Sequence, residues 1–171
     1  MIRRERHEDE AEIARVIDAA FGDRETSAFA ERIRASPGYV SELAFVLEEE
    51  GEIVAHTMLS RVRLAGPDVD VLTLTPMSVR PDRQRQGVGR KLIEAALAAA
   101  DERGEPLVLV EGIPSYYPQF GFVSATELGL ERPDPRIPDA AWMVRPLAAY
   151  DPALRGRVVY PSFFPPPPGH A

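Results

Sequence analysis

The sequence predicts a mixed α/β fold, an antiparallel meander of strands followed by a βαβ unit. Three observations carry that prediction. Two apolar stretches, residues 43–48 and 53–62, flank Glu49-Glu50-Gly51-Glu52, which has the composition of a hairpin turn. A third apolar stretch, residues 69–79, follows a turn at Gly66-Pro67-Asp68 and completes the meander. An Ala-rich amphipathic segment after Gly87 then leads to Leu107-Val108-Leu109-Val110, a continuous apolar run of the kind buried on both faces of a sheet. Strand, loop, helix and strand in that order make a βαβ unit, whose two strands run parallel.

Taken in order, residues 2–5 form a short first strand. His7-Glu8-Asp9-Glu10 opens a helix with acids at the positive end of its dipole, and Ile13, Val16, Ile17 and Ala20 recur at helical spacing until Gly22. Thr26 or Ser27 is placed to cap a second short helix through Phe29 and Ile33, stopped by Pro37-Gly38. The helix after Gly87 presents Val88, Leu92, Ala95, Ala96 and Ala99 on one side, and Gly104-Glu105-Pro106 ends it. Beyond Glu111 the composition shifts, because 13 of the 17 prolines lie after residue 105. Residues 132–139 read as an irregular loop and Trp142-Met143-Val144 as one last strand. Pro165-Pro166-Pro167-Pro168 reads as an extended or disordered tail. The organisation expected is a domain over residues 1–147 and a Pro-rich C-terminal extension over residues 148–171.

Composition removes several classes of function. A chain of 171 residues, 44% hydrophobic and 27% charged, is ordinary for a globular domain. No apolar run reaches the roughly 20 residues needed to span a bilayer, and the N-terminus carries no apolar h-region, so a membrane partner and a secretory signal are not expected. Without cysteine there are no disulfides, no thiolate metal ligands and no cysteine nucleophile. His7 and His170 lie near the termini, so no metal site is expected either. A net charge of −7 argues against nucleic acid as a partner, since such proteins usually carry a basic footprint. The localisation expected is cytoplasmic. The Pro-rich segment is a candidate contact for a homodimer.

One stretch stands out against the acidic background. Residues 77–92 join the end of a strand to the start of a helix through Gln84, Arg85, Gln86, Gly87, Val88, Gly89 and Arg90. A loop feeding a helix N-terminus presents backbone N–H groups and the positive dipole end, and so holds an anion without a metal. Gly87 and Gly89 let the main chain come close to that anion. Arg80, Arg83, Arg85, Arg90 and Lys91 gather five cations there, with Asp82 as the one offsetting acid in the stretch. The spacing Gln84-x-x-Gly87-x-Gly89 matches neither the Gly-x-Gly-x-x-Gly of dinucleotide folds nor the Gly-Lys-Ser/Thr of P-loops.

That spacing resembles the Gln/Arg-x-x-Gly-x-Gly/Ala pyrophosphate loop of the GNAT superfamily of N-acetyltransferases. Downstream, Tyr116-Tyr117-Pro118-Gln119-Phe120-Gly121-Phe122 resembles the family's Tyr-x-x-x-Gly-Phe signature, in the manner of its YhbS-like branch. The two motifs lie 28 residues apart, from Gly89 to Tyr117, with one helix and one strand between them. The resemblance covers residues 1 to about 147. It implies a GNAT-type acyl-CoA N-acyltransferase fold with splayed central strands, acetyl-CoA as cosubstrate, and transfer of its acetyl group to a primary amine by direct attack. It further implies that main-chain amides of Arg85 to Arg90 bind the pyrophosphate. The strand at Met77, Ser78 and Val79 would pair with the pantetheine arm, and Tyr117 would supply a proton to the departing thiolate.

The remaining residues are read more plainly. Tyr116, Phe120 and Phe122 are expected to pack as apolar anchors around a turn at Gly121. Glu111 ends the buried strand and is a candidate base, with a water chain as the alternative. His56 reads as a hydrogen-bonded sheet histidine rather than a catalyst. The acceptor, a small-molecule or protein amine, has no diagnostic pattern. A non-catalytic acyl-CoA-binding regulator is the alternative function, and an interaction module built on the basic loop is a third.

Overall fold

The structure, a computed structural model, describes residues 1–167. Pro168 and His170 therefore lie outside the described residues. The chain divides into two compact units, Met1–Ser60 with Leu74–Ala100, and Arg61–Thr73 with the described residues from Asp101 on. Each is treated by itself.

The first unit begins with strand β1, Ile2–Arg4, and a short 3-10 turn, His7–Asp9. Helix α1, Glu10–Phe21, buries Ile13, Val16 and Ile17 at the spacing of one helix face and ends where Gly22 turns left-handed at φ 78°. Helix α2 spans Glu25–Arg34, so Thr26 and Ser27 lie inside it and do not cap it. The Asp23 carboxylate accepts from the Glu25 N–H at 3.0 Å and supplies the acceptor that Thr26 or Ser27 was expected to provide.

Strands β2, Tyr39–Glu49, and β3, Glu52–Leu64, form the expected hairpin, with β2 starting four residues before position 43. Glu49 pairs Glu52, which leaves Glu50 and Gly51 as a two-residue turn, both at positive φ (53° and 82°). Such a turn twists in the sense the strands need. Strand β4 runs over Val69–Val79, as expected, and helix α3 over Val88–Glu102. The buried face of α3 is Val88, Leu92, Ile93, Ala96, Leu97 and Ala100. Ala95 and Ala99, expected within it, lie half-exposed at its border because Ile93 and Leu97 rotate the apolar stripe toward themselves.

Glu5 organises this unit. Its side chain is 3% exposed, and its carboxylate accepts from Arg34 Nε at 2.8 Å, the Tyr39 hydroxyl at 2.7 Å and His56 Nε2 at 2.7 Å. The end of β1 is thereby tied to α2, β2 and β3 through one charge. His56 is fully buried and its Nδ1 has no partner, so the neutral tautomer with the proton on Nε2 fits the site. A charged ring would leave an orphan donor in a dry environment.

The second unit holds the start of β4, which pairs in parallel with β5, Leu107–Glu111, at Leu72↔Val108 and Thr73↔Leu109. The βαβ unit is therefore present. β6, Val123–Ser124, and β7, Leu130–Glu131, are two-residue strands. β8, Trp142–Pro146, pairs antiparallel with both β5 and β6. Residues 132–138 are irregular, as expected, and a short 3-10 turn, Asp139–Ala141, begins at the residue where the loop was expected to end. The strand at Trp142 is not the last. β9, Gly156–Val159, follows inside the Pro-rich segment and pairs with the end of β3 and with β7. Its four residues lie between Pro152 and Pro161, so every N–H that a ladder needs is present.

Trp142 anchors this unit's core. It is fully buried among Leu64, Leu107, Leu109, Ile137 and Val158, and its Nε1–H donates to the Leu130 carbonyl at 2.8 Å. Tyr160 and Phe164 pack against the same cluster, so residues of the C-terminal segment complete it. Among the described residues no helix is long and apolar enough to cross a membrane.

Two titrations follow from the first unit. Burial lowers the pKa of His56 below 6.5, against the opposing hydrogen bond to Glu5. The unfolded chain therefore takes up this proton first, and stability should decline as pH falls below about 6.5. Burial alone would raise the Glu5 carboxyl, but the hydrogen bonds from His56 and Arg34 outweigh it and hold it at about 2. That contribution should be complete above about 4.5 and be lost toward pH 2. Glu5→Gln should cost about 3 kcal/mol at pH 7, because Arg34 is left buried without its counter-charge. Urea unfolding across pH 3–7 measures both effects.

Candidate functional site

The anion loop belongs to the first unit. After β4 the chain makes a short 3-10 turn, Pro81–Arg83, and then the loop that enters α3. Arg85 and Gly87 both take positive φ, 62° and 79°. Alternating backbone handedness of this kind curves successive N–H groups into a concavity that suits an anion. Among the described residues, the amides of Arg85, Gln86, Gly87, Val88, Gly89 and Arg90 donate no hydrogen bond of normal geometry, and the first bond of the helix runs from Lys91 N–H to the Gly87 carbonyl at 3.2 Å. Side chains brace the loop from behind. Gln84 Nε2 donates to the Val79 carbonyl at 3.0 Å, and Gln86 Nε2 to the Asp82 carbonyl at 3.1 Å.

The five cations are not equivalent. Arg80 is bound by Asp82 at 2.6 Å and Glu52 at 3.0 Å, Arg83 by Glu49 at 2.9 Å, and Arg90 by Glu94 at 3.0 Å. Asp82 is thus not the sole offset, because the β2–β3 hairpin and the next turn of α3 bring three further acids. Arg85 and Lys91 form no ion pair among the described residues and are exposed. Of the strand residues expected to line the site, Met77 and Val79 are half-exposed and Ser78 is 3% exposed, its hydroxyl without a partner.

Tyr117 belongs to the second unit. It opens a 3-10 turn, Tyr117–Phe120, that ends at Gly121 in the left-handed region at φ 85°. Its ring meets Tyr116 edge-on at 5.2 Å and Phe122 at 5.4 Å. Phe120 and Phe122 are buried, so the motif is the aromatic turn its sequence suggested. The Tyr117 ring also packs closely against Gly112, where a Cβ would stand 2.2 Å from Cε2. Burial pushes the hydroxyl up to about 12, and it makes no hydrogen bond among the described residues. It is therefore a protonated donor at neutral pH with no partner of its own.

The Acetyltransferase (GNAT) domain family matches residues 1–125 of the chain. The chain belongs to the GNAT acetyltransferase family. It is 30% identical to the N-acetyltransferase YjhQ of Escherichia coli K12 over 156 residues, which is 88% of this chain and 86% of YjhQ. Among solved structures, it resembles the GNAT family N-acetyltransferase YhbS of Escherichia coli, determined in complex with CoA, with TM-score 0.83 and 26% identity over 94% of this chain and 88% of that one. It also resembles a GNAT family acetyltransferase of Brucella melitensis in complex with acetyl-CoA, with TM-score 0.77 and 28% identity over 95% and 96% of the two chains.

In this GNAT acetyltransferase, the remaining candidates sort clearly. His56 serves Glu5 and is the hydrogen-bonded sheet histidine anticipated. Glu111 ends β5 with its side chain exposed, and its Oε2 accepts from the Tyr160 hydroxyl at 2.8 Å. Sequence reasoning missed Tyr160, because it sits 49 residues away in a segment read as an extension. It also missed the left-handed backbone at Arg85, since nothing in an arginine announces positive φ.

Gly112 tests how tightly Tyr117 is seated. Gly112→Ala should push the ring from its place and cost about 2 kcal/mol through overpacking. Denaturant unfolding, together with the near-ultraviolet circular dichroism of the aromatic turn, reports both changes.

Proposed function

We propose that the protein is an acetyl-CoA-dependent N-acetyltransferase that acetylates a primary amine by direct attack in a ternary complex. The observation that carries this reading is the run of unpaired amides from Arg85 to Arg90 at the N-terminus of α3. Such a run offers a pyrophosphate several main-chain donors and a dipole end at once. The complexes of the Escherichia coli and Brucella melitensis relatives with CoA and acetyl-CoA support the choice of ligand. Gly87, already left-handed, and Gly89 allow the close approach. Arg85 and Lys91, the two of the five loop cations without an ion pair among the described residues, are the residues we assign to the coenzyme's phosphates. By the family resemblance, Met77, Ser78 and Val79 on β4 take the pantetheine arm. The cytoplasmic placement goes with this reading, because the thioester is an intracellular metabolite.

Tyr117 faces a quantitative constraint. With its hydroxyl at about 12 and an ordinary thiol near 8.5, equilibrium leaves the proton mostly on oxygen. Its contribution is then a hydrogen bond to the sulfur as charge develops there, worth about 10²-fold in rate. The acceptor nitrogen must arrive with a free lone pair, so one proton leaves it before attack.

Three measurements test the reading. Acetyl-CoA should raise the melting temperature, with stabilisation near 2.7 kcal/mol at about a hundred times the dissociation constant. Tyr117→Phe should lower kcat by about 10²-fold and leave coenzyme affinity nearly unchanged, which a coenzyme-binding regulator would not show. Arg85→Ala and Lys91→Ala should each weaken coenzyme binding about tenfold, the loss of one hydrogen bond to a charged group. A protein that ignores acetyl-CoA in the melting experiment is not this enzyme.

A further inference from the structure

We propose that Glu111 receives the proton of the acceptor's ammonium group and that Tyr160, from the C-terminal segment, is the positioning residue that holds it ready. This rests on the transferase reading above and adds to it a base and the residue that positions it. The acceptor is a primary amine that arrives positively charged.

Glu111, Gly112, Tyr117, Trp142 and Tyr160 all belong to the second unit. Glu111 is the last residue of β5, paired across the ladder with Trp142. The next residue is Gly112, against which the Tyr117 ring packs. The carboxylate thus leaves the main chain one residue from the surface that Tyr117 covers, and it is exposed to an incoming cation. One oxygen, Oε2, is held by the Tyr160 hydroxyl at 2.8 Å, and no hydrogen bond to Oε1 occurs among the described residues. Tyr160 is itself fixed. Its ring meets Trp142 at 6.5 Å and Phe164 at 4.7 Å, and Trp142 is fully buried. A carboxylate on a long side chain is thereby kept in one orientation, with one lone-pair edge free for an N–H donor.

The surroundings make this carboxylate a better proton acceptor than an ordinary one. Partial desolvation beside Tyr160 raises the Glu111 carboxyl above its ordinary value, the hydrogen bond from Tyr160 opposes that rise, and the charge of Asp134 in the 132–138 loop adds to it. Tyr160 and Asp134 are the titratable groups that act on it. Burial also raises the Tyr160 hydroxyl, followed by the Glu111 charge, so it stays a donor. The family match covers residues 1–125, and Tyr160 lies outside it. The contact joins a residue of the C-terminal segment to one inside the matched region.

Glu111 takes one proton from R–NH3+, which frees the nitrogen lone pair. The N–C bond forms at the thioester carbonyl, the C–S bond breaks, and its electron pair goes to sulfur. The nitrogen loses a second proton as the amide forms, matching the proton gained by sulfur, and Glu111 returns its proton to solvent.

The test uses the full chain, acetyl-CoA, and the best acceptor from a panel of diamines, amino acid amides and aminoglycosides, with pH profiles of kcat/KM. Tyr160→Phe keeps the ring and removes the donor. The acid limb of its profile should move to higher pH, kcat/KM at pH 7 should fall about tenfold, and the melting temperature should hold. Glu111→Gln should lose about 10²-fold and the acid limb with it. Calorimetric binding of acetyl-CoA should be unchanged in both variants. If coenzyme binding is intact and the acid limb of Tyr160→Phe does not move, the inference is overturned and the transferase reading stands. If the unmodified chain binds no acetyl-CoA, that reading falls and the inference falls with it.

Discussion

A carboxylate taken out of water has to be compensated, and in the first unit that requirement falls on Glu5. Its desolvation opposes folding, and the donors of His56 and Arg34 reverse the balance while the Tyr39 hydroxyl completes the set. Because those donors come from α2, β2 and β3, the charge is satisfied only when all three elements and the end of β1 are in place. Hydrophobic burial of Ile13, Ile17, Leu43 and Leu59 supplies most of the stabilisation, yet it is tolerant of small shifts. The polar cluster is not tolerant, and it specifies one arrangement where apolar packing would accept several.

The second unit is organised by Trp142. The indole fills the core while its one N–H is answered by the Leu130 carbonyl, so β7 is tied to β8 by a hydrogen bond as well as by packing. β9 then closes on β7 and on the end of β3. The aromatic rings that follow β9 finish the same cluster. The Pro-rich C-terminal segment is thus a structural part of this unit, with Tyr160 carrying the structure onward to Glu111.

Much of this was legible in the sequence, and the pattern of misses has physical causes. Strand β4, the β2–β3 hairpin, the βαβ crossover and the aromatic turn were readable because each depends on local spacing, glycine placement or apolar continuity. The cap of α2 was misplaced because Asp23, Thr26 and Ser27 are all competent, and tertiary position decides among them. β7 and β9 were invisible because strands of two and four residues carry no period of their own. In the candidate site, the loop residues and Tyr117 were found through motif spacing. The charges that neutralise Arg80, Arg83 and Arg90 could not be, since Glu49, Glu52 and Glu94 approach only through the fold. The same limit hid the Tyr160–Glu111 contact.

Arg85 adopts at φ 62° a conformation that glycine would take without strain, at a cost of order 1 kcal/mol. The chain therefore carries a locally suboptimal residue in an exposed loop. Laboratory selection for heat resistance alone would favour glycine at this position, and the resulting protein would be sturdier and less cationic at the loop. On the reading proposed above, thermostability and coenzyme affinity are competing traits written into a single codon.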